Sequence, residues 1–288
     1  MKFMDYFRLI WGNRKARVGV IILMFFVLMG IVGPLVVPPP TKTIISRTFI
    51  LHPPILSNPY YWFGTNAVGG STLAQIVYGT PSILQVVFLA GLITTAVGIL
   101  VGITAGFVGG TTDLLLMGAT DVALNIPSLV LTLVVASLIK NADPLTLAGI
   151  LSLTSWAGLA RAVRSQVLSL RSQPHIEILK ILGLGRAYAI FREVIPSLGS
   201  YIAIHYIFNV EGAVYALVGL YYLGIIPYNP NNWGSMINVA LSDGALFGTK
   251  AIWFFVFPTL IITIFMSSLI LLSYGIDEIS NPRLRVRV

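Results

Sequence analysis

Six apolar windows alternate with polar or charged stretches along this chain, and their lengths predict transmembrane helices. A hydrocarbon core about 30 Å thick needs about 20 predominantly apolar residues per helix. Val18 to Val37 and Ser82 to Val108 carry no charge, and Leu114 to Ile139 carries only Asp121. Leu145 to Ala160 is shorter and is expected to run past Arg161, whose long side chain can snorkel. Ser197 to Ile226 holds His205 and Glu211, while Ala251 to Tyr274 is again uncharged. The pattern predicts an all-α membrane protein of six transmembrane helices. One transmembrane domain over 18–274 lies between a cytoplasmic segment, 1–17, and a cytoplasmic tail, 275–288.

Composition agrees with a chain solvated by lipid: of 288 residues, 56% are hydrophobic and only 10% charged, against about 25% charged in soluble domains. Basic residues set the orientation. With the N-terminus inside, all 18 Lys and Arg residues except Lys42, Arg47, Lys140 and Lys250 fall on the cytoplasmic side. An even number of spans returns the C-terminus there too, giving a multi-pass protein of the cell membrane. The net charge of +8 therefore reports topology, and no basic patch interleaved with aromatics points to nucleic acid.

Two outer segments are expected. Residues 38–81 open on Pro38-Pro39-Pro40 and hold Tyr60, Tyr61, Trp62 and Phe63, as an interfacial loop or short helix would. Residues 223–250 hold a Pro/Asn-rich turn before Trp233; there, Tyr221, Tyr222, Tyr228 and Trp233 are read as interfacial anchors or stacking surfaces. In the second span, Gly98, Gly102, Gly106 and Gly110 form a stripe that admits a close neighbour helix, within one bundle or across a dimer seam.

The chain shows no catalytic or metal site. It has no cysteine, no GxxxxGK[ST] phosphate loop and no HExxH pair among its three histidines. Intramembrane polar residues are expensive and default to function. Asp121 and Asn125 share a helical face, and Asn209 and Glu211 lie in the fifth span. They either line a translocation pathway or make interhelical hydrogen bonds, the second reading being favoured.

One strip stands apart. From His175 to Pro196 it reads HIEILKILGLGRAYAIFREVIP, a charged helix–Gly–helix–Pro unit between the fourth and fifth spans. Pro174 suits a first helical turn, Glu177 lies near the positive end of the helix dipole, and Gly183 and Gly185 end the helix and permit a turn. Ile176, Leu179 and Leu182 give one apolar face. Such a unit projects into water and offers a grip for another protein.

Glu177, Gly183 and Pro196 stand at the spacing of the EAA motif, and the chain resembles the binding-protein-dependent ABC importer permeases, with Ile178 and Leu179 in place of the motif's two alanines. Phe63-Gly64-Thr65, Tyr78-Gly79, Asp113…Asp121…Ile126-Pro127-Ser128-Leu129, Trp233-Gly234-Ser235-Met236 and Asn281-Pro282-Arg283-Leu284 are similar to the C-type permease subunit of dipeptide/oligopeptide importers, along nearly the whole length. Asn66, Gly70 and Ser71 depart from charged positions of that subfamily. The resemblance implies a type I importer fold with a cytoplasmic coupling helix in 171–196. Glu177, Leu179, Gly183, Arg186 and Pro196 would meet the ATPase. It also implies a homologous permease as heterodimer partner, two ATPase subunits that bind ATP and Mg, and an extracytoplasmic solute-binding protein. This chain itself would hold no cofactor and be no enzyme. The solute would be a peptide, an oligosaccharide or nickel. The rival expectation is a proton-coupled secondary transporter using Asp121 and Glu211.

Overall fold

A computed structural model describes residues 10–40, 50–139 and 143–280, apart from the side chains of Glu177, Lys180 and Ile181. Among the described residues the architecture is helical. The helices are α1 (Arg14–Val36), α2 (Thr72–Val108), α3 (Gly110–Asn125), α4 (Ser128–Ser137), α5 (Pro144–Ser152), α6 (Trp156–Arg171), α7 (Pro174–Ile181), α8 (Arg186–Ala189), α9 (Gly199–Tyr222), α10 (Trp233–Ser242) and α11 (Ile252–Ser280).

By length and composition α1, α2, α9 and α11 can each cross a membrane, and the bent pairs α3–α4 and α5–α6 bring the number of spans to as many as six. The expected third span is not straight. Pro127 disfavours a helical conformation at Ile126, which is extended, and the axis turns by 77°. The fourth span breaks by 56° around Leu153–Ser155, where the Ser152 and Ser155 hydroxyls donate back to Ala148 and Leu151 carbonyls. Such back-bonding bends helices. Arg161, on α6, pairs with Asp121 of α3.

Helix α2 starts at Thr72, well before the expected Ser82, and runs 37 residues, about 55 Å at 1.5 Å per residue. Pro81 does not stop it, because the turns on its outer side are held from elsewhere. Trp233 Nε1 donates to Ile76 O, and Ser71 caps the start by accepting from Ala74 N. At the opposite end of the bundle, Asn13 Nδ2 donates to Glu278 Oε2 at 2.8 Å and Lys15 pairs with the same carboxylate. The start of α1 and the end of α11 are thereby tied together.

Two apolar cores result. The larger joins α1, α2, α5, α9, α10 and α11 and centres on Phe26, Trp233 and Phe265, whose rings lie 5.1–6.2 Å apart. Trp233 is fully buried and Tyr221 nearly so, which corrects the expectation that they stand at an outer mouth; of these four, Tyr222 and Tyr228 are exposed. The outer segment 223–250 is also not a simple loop, since it holds α10, capped by Asn232 accepting from Gly234 N. The smaller core sits between the ends of α2, α6, α7 and the start of α9.

The glycine stripe of α2 is an internal seam against α6. A Cβ at Gly98, Gly102 or Gly106 would stand 2.6–2.9 Å from Leu159, Ala160 O or Val167. Gly110 is not part of it: it opens α3 at positive φ and has nothing within 4 Å.

Candidate coupling elbow and pathway cavity

The elbow hangs from the end of α6. Gln173 N donates to Leu170 O and Ile176 N to Gln173 O, both at 3.0 Å, so two backbone bonds span the junction. Helix α7 then lays Ile176, 1% exposed, into the smaller core beside Phe107, Val163 and Val167. Leu179 packs on the same core. The expected single apolar face of Ile176, Leu179 and Leu182 is therefore divided: the first two turn inward, whereas Leu182 is 66% exposed.

Gly183 ends α7 at φ +71, with nothing within 4 Å of where a Cβ would be. Leu184 N donates across it to Leu179 O at 3.0 Å, the long-range bond of a Schellman cap. Arg186 begins α8 and, with Phe107, Arg171, Leu179 and Leu184, lines a cavity of ≈310 Å³ beneath the elbow. The chain then widens into a π-turn over Ile190–Val194, closed by Ile195 N to Ile190 O. Pro196 follows at once; it lacks an N–H and its ring crowds the carbonyl four residues back, which disfavours a regular α turn there. Pro196 therefore lies in a short turn, Ile195–Ser197, leading into α9. Glu177 lies on α7, and its side chain is outside the described set.

Around the Gly183 turn, Ile178, Leu182, Leu184, Tyr188 and Phe191 are all exposed. This apolar surface lies beyond the spanning helices, at the bundle end where α2 finishes and the start of α1 meets the end of α11. Sequence spacing did not reveal it, because Ile178, Tyr188 and Phe191 lie off the predicted face.

The intramembrane polar residues fall into separate places. Asn125 Nδ2 donates to Asp121 O within α3, and Asp121 pairs with Arg161. Asn209 Nδ2 donates to Thr95 Oγ1 at 2.9 Å, joining α9 to α2. Half-buried Glu211 makes no hydrogen bond or ion pair among the described residues, and none joins it to Asp121. Asn209 instead borders a ≈400 Å³ cavity between α2, α4, α5 and α9, with Thr94, Ser128, Thr132, Ser155 and Tyr215. The hydroxyls were missed, although Ser128 and Thr132, four apart in an apolar window, were a readable signal. Because the Glu211 carboxyl has no partner to lose, Glu211→Gln is expected to leave the melting temperature in detergent unchanged or raise it. A clear fall would show that the carboxyl is engaged.

This bundle and its mainly apolar cavity, dotted with hydroxyls, define an all-α, multi-pass membrane permease. Residues 98–286 match the family described as "Binding-protein-dependent transport system inner membrane component", and the chain belongs to that family, the permeases of ABC importers. It is similar to the dipeptide transport system permease protein of Haemophilus influenzae, 27% identical over 99% of this chain and 95% of that one. It is likewise similar to the oligopeptide transport system permease protein of Bacillus subtilis, 27% identical over 95% and 87%, and to the dipeptide permease of the same organism, 28% identical over 98% and 86%.

Proposed function

We propose that this chain is one of two homologous permeases in an ATP-driven importer of peptides, and that its elbow docks on an ATPase subunit. The carrying observation is the exposed apolar surface of Ile178, Leu182, Leu184, Tyr188 and Phe191 around the Gly183 turn. Apolar surface outside the bilayer calls for a protein partner, and the orientation drawn from basic residues puts that partner in the cytoplasm. Peptide is the solute class named for the similar permeases, and an extracytoplasmic binding protein would deliver it. ATP closes the ATPase pair, the docked elbow moves, and the ≈400 Å³ cavity changes its access. A docked helix drives this only if it binds the two ATPase states with different free energy. ATP and Mg would stay in the partner subunits. The proton-coupled alternative is disfavoured because Asp121 is committed to Arg161 and shares no relay with Glu211.

The absence of native cysteine makes the test direct. A cysteine cross-linker at Leu182 in native membranes is expected to capture an ATP-hydrolysing subunit, whereas one at inward-facing Leu179 is not. Failure to capture such a subunit from Leu182, Ile178 and Phe191 alike would overturn the docking reading.

A further inference from the structure

We infer that the two aspartate–arginine pairs between α3 and α6 form the linkage that carries elbow movement to the cavity wall. This inference rests on the importer reading above. Arg164 donates through Nε and Nη2 to both carboxylate oxygens of Asp113, a fork that fixes orientation as well as distance. Two turns further along α3, Asp121 pairs with Arg161, one turn back along α6. Two points of attachment resist rotation of α3 about its own axis, which one point would allow.

Helix α3 has little else to hold it. Thr120 is its only buried residue, so the pairs stand in for the apolar packing that fastens the other helices. Helix α6, by contrast, is firmly seated. Its Leu159, Val163 and Val167 fill the α2 glycine seam, and Arg171 Nη1 reaches the Gly106 carbonyl at the end of α2. Because α6 runs into α7 through a two-residue link spanned by two backbone hydrogen bonds, displacement of the elbow displaces α6, and the pairs pass that displacement to α3.

The far end of α3 meets the 77° bend at Ile126–Pro127. Beyond it α4 contributes Ser128, Leu129, Thr132 and Leu133 to the ≈400 Å³ cavity. A rotation of α3 therefore swings α4 at the cavity edge. Stability does not account for the Asp121–Arg161 pair, whose side chains are 56% and 57% exposed, since exposed pairs contribute at most about 1 kcal/mol. Its value is geometric, while the Asp113–Arg164 fork, with side chains 19% and 31% exposed, both holds and orients α3.

The test uses the full complex of this chain with its partner permease and ATPase subunits, reconstituted in lipid. Spin labels on Leu129→Cys in α4 and Tyr215→Cys in α9 report the cavity width with and without ATP·Mg and vanadate. The labelled complex is expected to show a nucleotide-driven distance change. In R161Q/R164Q that change should be lost, its population falling roughly ten-fold, while ATP hydrolysis and capture from Leu182 persist. Reversing one pair in the otherwise native chain, Asp113→Arg with Arg164→Asp, should keep the change. If R161Q/R164Q does not assemble, Asp113→Asn, which keeps side-chain shape, is read in the same way. A full-size distance change in the glutamine or asparagine variant would overturn the linkage. A labelled complex with native pairs that ignores nucleotide would overturn the importer reading, and the linkage with it.

Discussion

Replacing Gly79 by alanine is expected to destabilise the permease more than any other single-methyl change in α2. An added Cβ would lie 1.7 Å from the Asn231 carbonyl oxygen and 2.8 Å from its carbon, so backbone has to move. The loop has little room to retreat. Asn231 N and Asn232 N both bond to Asn229, and Asn232 caps α10. One residue on, Trp233 is locked between Phe26 and Phe265. Relief would require withdrawing the tryptophan or bending α2, and either opens the larger core. The loss should reach about 3 kcal/mol, the upper part of the range for overpacked sites. Thermal unfolding in detergent, followed by tryptophan fluorescence, provides the measure. Gly118→Ala is the control, because nothing lies within 4 Å of that position and alanine is the better helix former. Equal melting temperatures for the two variants would refute the account of the α2–loop contact.

The second large effect is functional. Gly183→Val should leave the complex assembled but abolish solute-stimulated ATP hydrolysis. No atom lies within 4 Å of a Cβ placed there; the penalty comes from φ +71, a conformation that β-branched residues resist. Strain of this kind amounts to about 1–3 kcal/mol, enough to unwind the last turn of α7 and break the Leu184–Leu179 bond. The exposed Leu182 and Leu184 would then lose their arrangement. Gly183→Asn separates conformation from bulk, because asparagine tolerates the left-handed region, and it should retain most of the coupled activity. If valine and asparagine behaved alike, the turn would not be the lever's critical point.

Much of the fold was legible because apolar runs long enough for a bilayer are a length signal, but the same signal reads Leu114 to Ile139 as one span and passes over the bend at Pro127. The start of α2 was misplaced for an equally physical reason. A proline- and aromatic-rich stretch suggested a loop, yet contacts from Trp233 and Asn231 carry the helix through its end. Of the site residues, Gly183 is where the spacing put it, at a turn, while Leu179 faces the core. Ile178, next to it, faces out, and no periodicity argument over eight residues of mixed character separates them.

What the chain by itself determined is the set of spans, the charged elbow after α6 and the lack of its own nucleotide-binding loop. These follow from local chemistry: apolar length, charge that must reach water. Tertiary structure alone decided that Trp233 is core, that the α2 glycines seat α6, that Asp113 and Asp121 meet Arg164 and Arg161, and which side of α7 is presented outward. Inside a bilayer the lipid-facing and core-facing sides of a helix are equally apolar. Which helix meets which is therefore written in shape and in a few polar contacts, not in the hydrophobic pattern.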